Sequence, residues 1–161
     1  MDELVIRSAR DEDSEKLIQM IDGVFAEYPG CILDVDAEMP ELRARASATK
    51  VDSGRWWVAE LGGKIVGSVA VVPDEDGVVE LKKLYVSNSA RRNGLGAQLV
   101  SLAESEARER RARATALWTD TRFRHAHQLY SKLGFVRAPR TRVLNDISNT
   151  VEFHYAKELI P

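Results

Sequence analysis

The stretch of sequence that decides the fold is residues 78–107, VVELKKLYVSNSARRNGLGAQLVSLAESEA. It opens with Val78 to Val86, a run rich in β-branched and apolar residues, which predicts a strand. After a polar loop, apolar residues recur at helical spacing at Leu95, Leu99, Leu102, Ala103 and Ala107. The order therefore predicts a strand, a glycine-containing loop and a helix.

The loop Arg91-Arg92-Asn93-Gly94-Leu95-Gly96 has the composition of an anion site. Backbone N–H groups at a helix start have no intrahelical partner and point outward together with the positive end of the helix dipole. Glycines at 94 and 96 remove Cβ atoms that would hold a phosphate away, and two guanidiniums add charged hydrogen bonds. A pyrophosphate fits this chemistry, although a solvated turn explains these six residues equally well.

Two common phosphate-binding motifs are not matched by this loop. It has no Lys-Ser/Thr pair, which the nucleotide-binding G-x-x-x-x-G-K-[ST] motif requires. It also lacks the third glycine of the dinucleotide-binding fingerprint. Neither ATP nor NAD is favoured as the ligand.

Composition limits the class of protein. The chain has 161 residues, of which 44% are hydrophobic and 30% charged, and this predicts one globular domain. Its 23 basic and 25 acidic residues give a net charge of −2, so no overall field attracts nucleic acid or an anionic membrane. An anion site must therefore be local.

We expect the protein to reside in a reducing cytoplasm. The apolar runs are strand-sized, and residues 1–4 do not begin a signal peptide, so neither a membrane span nor a secretion signal is predicted. The single cysteine, Cys31, cannot form an internal disulfide. It is more typical of a small buried hydrophobe than of a nucleophile.

The residues upstream predict a strand at Val5 to Ala9 and then an amphipathic helix, which Pro29-Gly30 ends. After a linker, Leu42, Ala46 and Thr49 suggest a short second helix. Arg55 to Leu61 and Lys64 to Val72 are β-rich runs joined by Gly62-Gly63, a strong hairpin signal.

The residues downstream predict one more helix and three strands. The strands are Ala114 to Thr119, Phe135 to Leu144 and Val151 to Ala156. Between the first two, Phe123, Ala126, Tyr130 and Leu133 form a helical stripe that ends at Gly134.

Three ordered blocks of this sequence resemble the GNAT superfamily of acyl-CoA-dependent N-acetyltransferases. They are ELKKLYV at 80–86, RRNGLG at 91–96 and AHQLYSKLGF at 126–135. The resemblance implies an α/β fold with a mixed, mostly antiparallel sheet of about seven strands, flanked by about four helices. Strands four and five are expected to splay apart and admit the pantetheine of the cofactor, within one domain spanning residues 1–161.

The resemblance also implies where acetyl-CoA, the acyl donor, is held. The backbone of Leu84, Tyr85 and Val86 is expected to bond pantetheine at a local bulge and to polarise the acyl oxygen. The pyrophosphate is expected on Arg91, Arg92, Asn93, Gly94, Leu95, Gly96 and Ala97. The chain departs from the family at the end of strand five, where many relatives have an Asn that contacts the cofactor and this chain has Asp120.

Two residues are candidates for proton transfer. By spacing alone Tyr130 is a core residue, whereas the resemblance makes it the general acid that protonates the leaving thiolate. Glu80 matches the position of a frequent general base, but it also shares a strand face with Lys82 and is equally well explained as its ion-pair partner. His127 is a weaker base, and no metal site is predicted.

The predicted function is transfer of an acetyl group to a primary amine of a small molecule or peptide by direct attack. Asp34, Asp36, Glu38 and Asp146 are expected near the acceptor and would attract a cationic amine, or else they are loop acids that face water. Arg137, Arg140 and Arg142 could instead hold an acceptor's carboxylate or phosphate. The alternatives are an acyl-CoA sensor and a protein-interaction module, and the oligomeric state is open, a homodimer included.

Overall fold

The computed structural model describes residues 2–43 and 54–160. Within these ranges one sheet contains seven strands: β1 (Val5–Ser8), β2 (Arg55–Leu61), β3 (Lys64–Pro73), β4 (Val78–Val86), β5 (Ala114–Asp120), β6 (Val136–Val143) and β7 (Val151–Glu158). The same ranges contain four α-helices: α1 (Ser14–Phe25), α2 (Val35–Glu38), α3 (Leu95–Glu109) and α4 (Arg124–Lys132).

The strand order in the sheet is β1-β2-β3-β4-β5-β7-β6. Every neighbouring pair is antiparallel except β4 and β5, which run parallel. The helix α3 makes the crossover connection that two adjacent parallel strands require. The predicted mixed, mostly antiparallel sheet is confirmed.

Strands β4 and β5 separate after a short paired segment. Only Val78–Glu80 pairs with Ala114–Ala116. Further along, β4 bulges against β3, because two of its residues oppose one between the pairs Ser68–Tyr85 and Ala70–Lys82. The bulge includes Lys83 at a φ of 55°, and the Ser68 hydroxyl donates to its carbonyl oxygen at 2.6 Å. The predicted splay between strands four and five is confirmed.

The predicted hairpin is present between β2 and β3. Leu61 pairs with Lys64, and the two turn residues Gly62 and Gly63 have φ values of 56° and 76°. A two-residue turn with both φ values positive matches the right-handed twist of the flanking strands, and glycine adopts it without strain.

The segment between α1 and β2 differs from its prediction. The residues predicted as a linker contain the four-residue helix α2. Leu42, predicted to lie in a short helix, closes a 3-10 turn at Pro40–Leu42, while Ala46 and Thr49 lie outside the described residues.

Two apolar cores cover opposite faces of the sheet. Leu17, Ile21 and Val24 of α1 pack on one face against residues of β2 and β3 such as Val58. Leu95, Leu99 and Ala103 of α3 pack on the other face. The second core extends to α4 through Tyr130, which brings that helix beside the opening between β4 and β5.

A buried ion pair anchors the start of α1 to the sheet. Both terminal nitrogens of Arg7 donate to the Asp13 carboxylate, at 2.8 and 2.9 Å, and the Arg10 backbone N–H donates to it at 2.8 Å. Arg7 also bonds Glu60 of β2. Burial opposes the ionisation of Asp13, but these hydrogen bonds outweigh it and lower its pKa below the ordinary 3.8.

We predict that Asp13→Asn lowers the free energy of unfolding at pH 7 by about 1–3 kcal/mol, because Arg7 loses a charged partner in a buried setting. Asp36→Asn, which removes an exposed pair with Arg43, should change it by less than about 1 kcal/mol. The lowered pKa of Asp13 means that its contribution is complete above the ordinary carboxyl range and is lost as the pH falls through the folded-state pKa. Urea titrations at pH 7 and pH 3 should therefore show a smaller difference between variant and wild type at pH 3.

Candidate active site

A cavity of about 920 Å³ opens where β4 leaves β5. Its walls come from the end of α1, the second half of β4, the loop before α3 and the exposed side of α4. All of the predicted cofactor-binding residues except Asn93 line it: Leu84, Tyr85, Val86, Arg91, Arg92, Gly94, Leu95, Gly96 and Ala97. We call this space the donor cavity.

The loop before α3 presents a row of free backbone donors. The backbone N–H groups of residues 92–97 have no acceptor in the described part of the chain, and the first bonded one is Gln98, which donates to the Gly94 carbonyl at 3.0 Å. Arg92 and Gly94 adopt positive φ values of 70° and 76°. Consecutive free N–H groups at the start of a 15-residue helix form a concave anion site.

The two glycines of this loop have different tasks. Gly94 needs its positive φ, and a Cβ there would meet open space. A Cβ on Gly96 would lie 2.9 Å from the Leu129 Cδ2 atom of α4. Gly96 therefore lets α3 and α4 approach closely, so a larger residue would disturb helix packing besides any effect on phosphate.

All three guanidinium nitrogens of Arg91 donate hydrogen bonds. Its Nε donates to the Val86 carbonyl at 3.1 Å, and its terminal nitrogens form a bidentate ion pair with Glu27, one bond of which measures 2.8 Å. Glu27 follows α1 and also lines the donor cavity. A phosphate reaching Arg91 must compete with this carboxylate.

The charges around the donor cavity favour an anion. Arg91, Arg92 and Lys132 line it together with a single carboxylate, Glu27. This local excess of positive charge occurs in a chain whose net charge is −2. The expectation that an anion site must be local agrees with this distribution.

We predict that Glu27→Gln strengthens the binding of acetyl-CoA by up to about fivefold, because it frees Arg91 and removes the one carboxylate that the described residues place on the wall of the donor cavity. Glu15→Gln, an exposed position on the first turn of α1, is the control and should not change the affinity. Calorimetric titration measures both. Weaker binding in the Glu27 variant would show instead that the ion pair holds the cavity in its binding shape.

A second, smaller cavity of about 120 Å³ adjoins the first. Leu84, Tyr85, Phe123 and Ala126 line both, so the two spaces meet at the β4 bulge and the start of α4. We call the smaller space the acceptor cavity. Its lining includes Tyr130 and residues of the loop that joins β6 to β7.

Tyr130 is a core residue, as its spacing predicts, and it also lines the acceptor cavity. Its ring is 4% exposed and packs against Phe135 and Tyr155, with centroid distances of 5.7 and 5.5 Å. Its hydroxyl has no hydrogen-bond partner among the described residues. Burial raises the pKa of Tyr130 above its usual value, so the phenol stays protonated at neutral pH.

Glu80 lies next to this site without lining either cavity. It is partly buried, and its Oε2 atom is 4.0 Å from Nζ of Lys82, which does line the acceptor cavity. A role for Glu80 as a base therefore requires a relay through water.

The end of β5 carries a buried charged group. Two nitrogens of Arg122 donate to the Asp120 carboxylate at 2.9 Å each, and the Cys31 thiol lies 3.9 Å from it. Burial, reinforced by Asp120, raises the pKa of Cys31 to about 11. This thiol is a poor nucleophile at neutral pH, as the sequence predicted.

His127 is held in place as a neutral imidazole. Its Nε2 donates to the Asp120 carbonyl at 2.9 Å, and its ring stacks on Tyr155. Burial lowers the pKa of His127, despite the bond to Asp120. With its ring engaged in this way, His127 positions the start of α4 against β5 and β7.

The structure separates the four acids predicted near the acceptor. Glu38 and Asp146 line the acceptor cavity. Asp34 instead caps α2 by accepting from the Ala37 N–H at 3.3 Å, and the exposed Asp36 pairs with Arg43 at 3.2 Å. Only half of the predicted acids are thus available to an acceptor.

The arginines of β6 line neither cavity and lie on aromatic rings, one of which, Trp118, lines the acceptor cavity. Arg137 stacks over Phe153 at 4.4 Å, and Arg142 stacks over Trp118 at 4.3 Å while bonding Glu152. Arg140 lies 5.5 Å from Trp118.

An aromatic wall that sequence reasoning missed closes the junction between the cavities. Phe25, Tyr28, Tyr85 and Phe123 pack with ring centroids 5.0 to 6.5 Å apart. Phe25 is the last residue of α1, Tyr28 follows that helix, and the other two come from β4 and the loop after β5. The only signal in the sequence was that Phe25 and Tyr28 closed an apolar helical stripe, which indicates core rather than a site.

Two further features are missing from the described ranges. Within residues 2–43 and 54–160, no three His, Cys, Asp or Glu side chains are grouped so as to hold a metal ion. No helix in those ranges has the length and hydropathy needed to cross a membrane.

Comparison with known proteins agrees with this geometry. The model of the acetyltransferase (GNAT) family matches residues 18–135. The chain is 29% identical over 136 residues to Uncharacterized N-acetyltransferase YjgM of Escherichia coli, covering 81% of each chain. Three other curated relatives are longer proteins, of which the chain spans 53, 48 and 41%.

Solved structures show the same fold. A GNAT acetyltransferase from Staphylococcus aureus Mu50 superposes with a TM-score of 0.84 at 22% identity, covering 98% of this chain and 100% of that one. The acetyltransferase yncA of Salmonella typhimurium, solved with its cofactor acetyl-CoA, gives a TM-score of 0.75 at 18% identity, covering 99% and 95%. The chain belongs to the GNAT acetyltransferase family.

Proposed function

We propose that the protein transfers the acetyl group of acetyl-CoA to a primary amine by direct attack. The observation that carries this proposal is that two neighbouring cavities hold, among the described residues, a row of free N–H groups suited to an anion and the core residue Tyr130, whose hydroxyl has no hydrogen-bond partner there. The acetyl-CoA named with the Salmonella structure supports the choice of donor.

The residues of the donor cavity fit the parts of that donor. The free N–H groups of residues 92–97 and the guanidinium of Arg92 suit a pyrophosphate. Where β4 parts from β5 its edge faces the cavity at Leu84–Val86 and suits the amide groups of pantetheine. We therefore propose that the loop before α3 and the end of β4 bind the donor together, as the sequence predicted.

The reaction requires proton movements that this site can supply. A C–N bond forms as the neutral amine attacks the thioester carbonyl, and the C–S bond breaks. The nitrogen loses a proton, and the departing sulfur gains one. We assign the second proton to Tyr130, because a phenol is protonated at neutral pH and this one lines the acceptor cavity with no hydrogen-bond partner among the described residues.

Glu80 is the proposed acceptor of the first proton, through water. Glu80 matches the sequence position at which the family often has a general base. It also lies beside Lys82, which lines the acceptor cavity, and both facts support this assignment. Its place outside the cavities means that removing it should slow the reaction without abolishing donor binding.

The proposed function is tested by titrating the protein with acetyl-CoA and by following thiol release across a panel of amines. We expect saturable donor binding and amine-dependent thiol release. Donor binding without thiol release for any amine would support the rival function of an acyl-CoA sensor. Absence of donor binding would support an interaction module.

We predict that Tyr130→Phe leaves the affinity for acetyl-CoA unchanged and lowers kcat on the order of 10²-fold, because it deletes the proton donor and keeps the buried ring. Tyr155→Phe is the matched control, since Tyr155 packs against Tyr130 but lines neither cavity. Steady-state kinetics with an acceptor identified in the panel measure both. Equal rates in wild type and Tyr130→Phe would mean that water protonates the thiolate.

We predict that Glu80→Gln lowers kcat by more than about tenfold at pH 7, because the amine then loses its relayed base. The loss should shrink at higher pH, where more of the amine is already neutral. Glu75→Gln, an exposed position before β4, is the control. A pH-independent loss would assign Glu80 to ion pairing with Lys82 instead.

A further inference from the structure

Two of the carboxylates that line the acceptor cavity form no salt bridge with the described residues. Four carboxylates line it, at Glu38, Asp120, Asp146 and Glu152, together with the two lysines Lys82 and Lys83. The lining therefore has an excess of negative charge, opposite in sign to the donor cavity.

Most of these groups have a counter-ion close by. Asp120 is bonded to Arg122, and Glu152 to Arg142. Lys83 is bonded to Glu41 at 2.6 Å, and Lys82 lies 4.0 Å from Glu80. These pairs leave Glu38 and Asp146 as the lining carboxylates without a cation within salt-bridge distance in the described chain.

Glu38 and Asp146 are also close enough to affect each other. Burial raises the pKa of Glu38, and the charges of Asp146 and Asp34 raise it further. One oxygen of Glu38, Oε1, is buried without a hydrogen-bond partner. Asp146 accepts from the Thr150 N–H at 2.8 Å and from its hydroxyl, which orients it, and Arg122, already paired with Asp120, acts on it from beyond salt-bridge distance.

A second observation shows that this space is shaped for a ligand. Tyr130 lines it and is 4% exposed, and its hydroxyl has no hydrogen-bond partner within residues 2–43 and 54–160. Apolar residues form the rest of the wall, among them Met39, Trp118 and Leu144. An occupant that completes the site must therefore combine an apolar body with positive charge.

We propose that the acceptor is an aliphatic diamine, whose second ammonium group binds between Glu38 and Asp146 while its methylene chain contacts the apolar wall. This inference rests on the proposed function, since it identifies the substrate class of that site. The reacting amine takes the end of the cavity near Tyr130, where it adjoins the donor cavity. A monoamine leaves the two carboxylates unbalanced and so binds more weakly.

The test compares three amines of equal chain length: 1,4-diaminobutane, 4-amino-1-butanol and 4-aminobutanoate. We expect kcat/KM to be at least about tenfold higher for the diamine than for the amino alcohol, because one partly buried ion pair is gained. The anionic amine should be the poorest. Measuring kcat/KM for diamines with three to six methylene groups then shows which chain length fits best, and so gives the distance between the two ends of the site.

Variants of the two carboxylates show whether they cause the preference for the diamine. Glu38→Gln should reduce the preference for the diamine over the amino alcohol to about twofold or less, and Asp146→Asn should act in the same direction. Asp36→Asn, exposed and outside the cavity, is the control and should keep the full preference. Thermal melts check that each variant is folded. Glu38→Gln is nearly isosteric at a partly exposed position, so it keeps the test valid if Asp146→Asn disturbs the β6–β7 loop.

A binding measurement separates this inference from the proposed function. Calorimetry of 1,4-diaminobutane with the protein saturated by CoA, which has no acetyl group, reports acceptor binding without turnover. Binding that is weakened about tenfold by Glu38→Gln supports the diamine site even if no thiol is released from acetyl-CoA. Equal binding and turnover of the diamine and the amino alcohol, or a preference for 4-aminobutanoate, would overturn the inference and leave the transferase activity standing.

Discussion

The separation of β4 from β5 is the constraint on which the rest of the site depends. A backbone N–H or C=O buried without a partner costs about 1–3 kcal/mol, so two neighbouring strands stay paired unless something redirects one of them. Here the extra residue at Lys83 redirects β4, and the Ser68 hydroxyl fixes that turn by bonding the Lys83 carbonyl. The unpaired part of the strand edge then becomes a wall of the donor cavity.

The opening produces two cavities of opposite charge that share one aromatic junction. Tyr85 and Phe123 line both spaces. The positive side lies at the start of α3, and the negative side lies under α2 and the β6–β7 loop. In a chain of net charge −2, this arrangement suits the anionic donor that we propose for one cavity and the cationic acceptor that we propose for the other.

Much of the fold was predictable because its signals are local. The Gly62-Gly63 hairpin and the strand–loop–helix unit around Gly94 each depend on neighbouring residues, and both are present. Contacts between distant residues left no such signal. Glu27 binds Arg91 across 64 positions, and Asp146 approaches Glu38 only because the β6–β7 loop packs on α2. For the same reason, Asp34 and Asp36 were grouped with Glu38 by sequence, although the short helix α2 turns them away.

Tyr130 shows why spacing could not separate a core residue from a catalytic one. The helical stripe that predicts burial is correct, since the ring packs between Phe135 and Tyr155. Burial is also what raises the pKa of the phenol and holds its hydroxyl at a fixed place on the cavity wall. The two roles are therefore compatible, because packing in the core fixes the ring on the wall of the acceptor cavity, and the phenol held there is protonated at neutral pH.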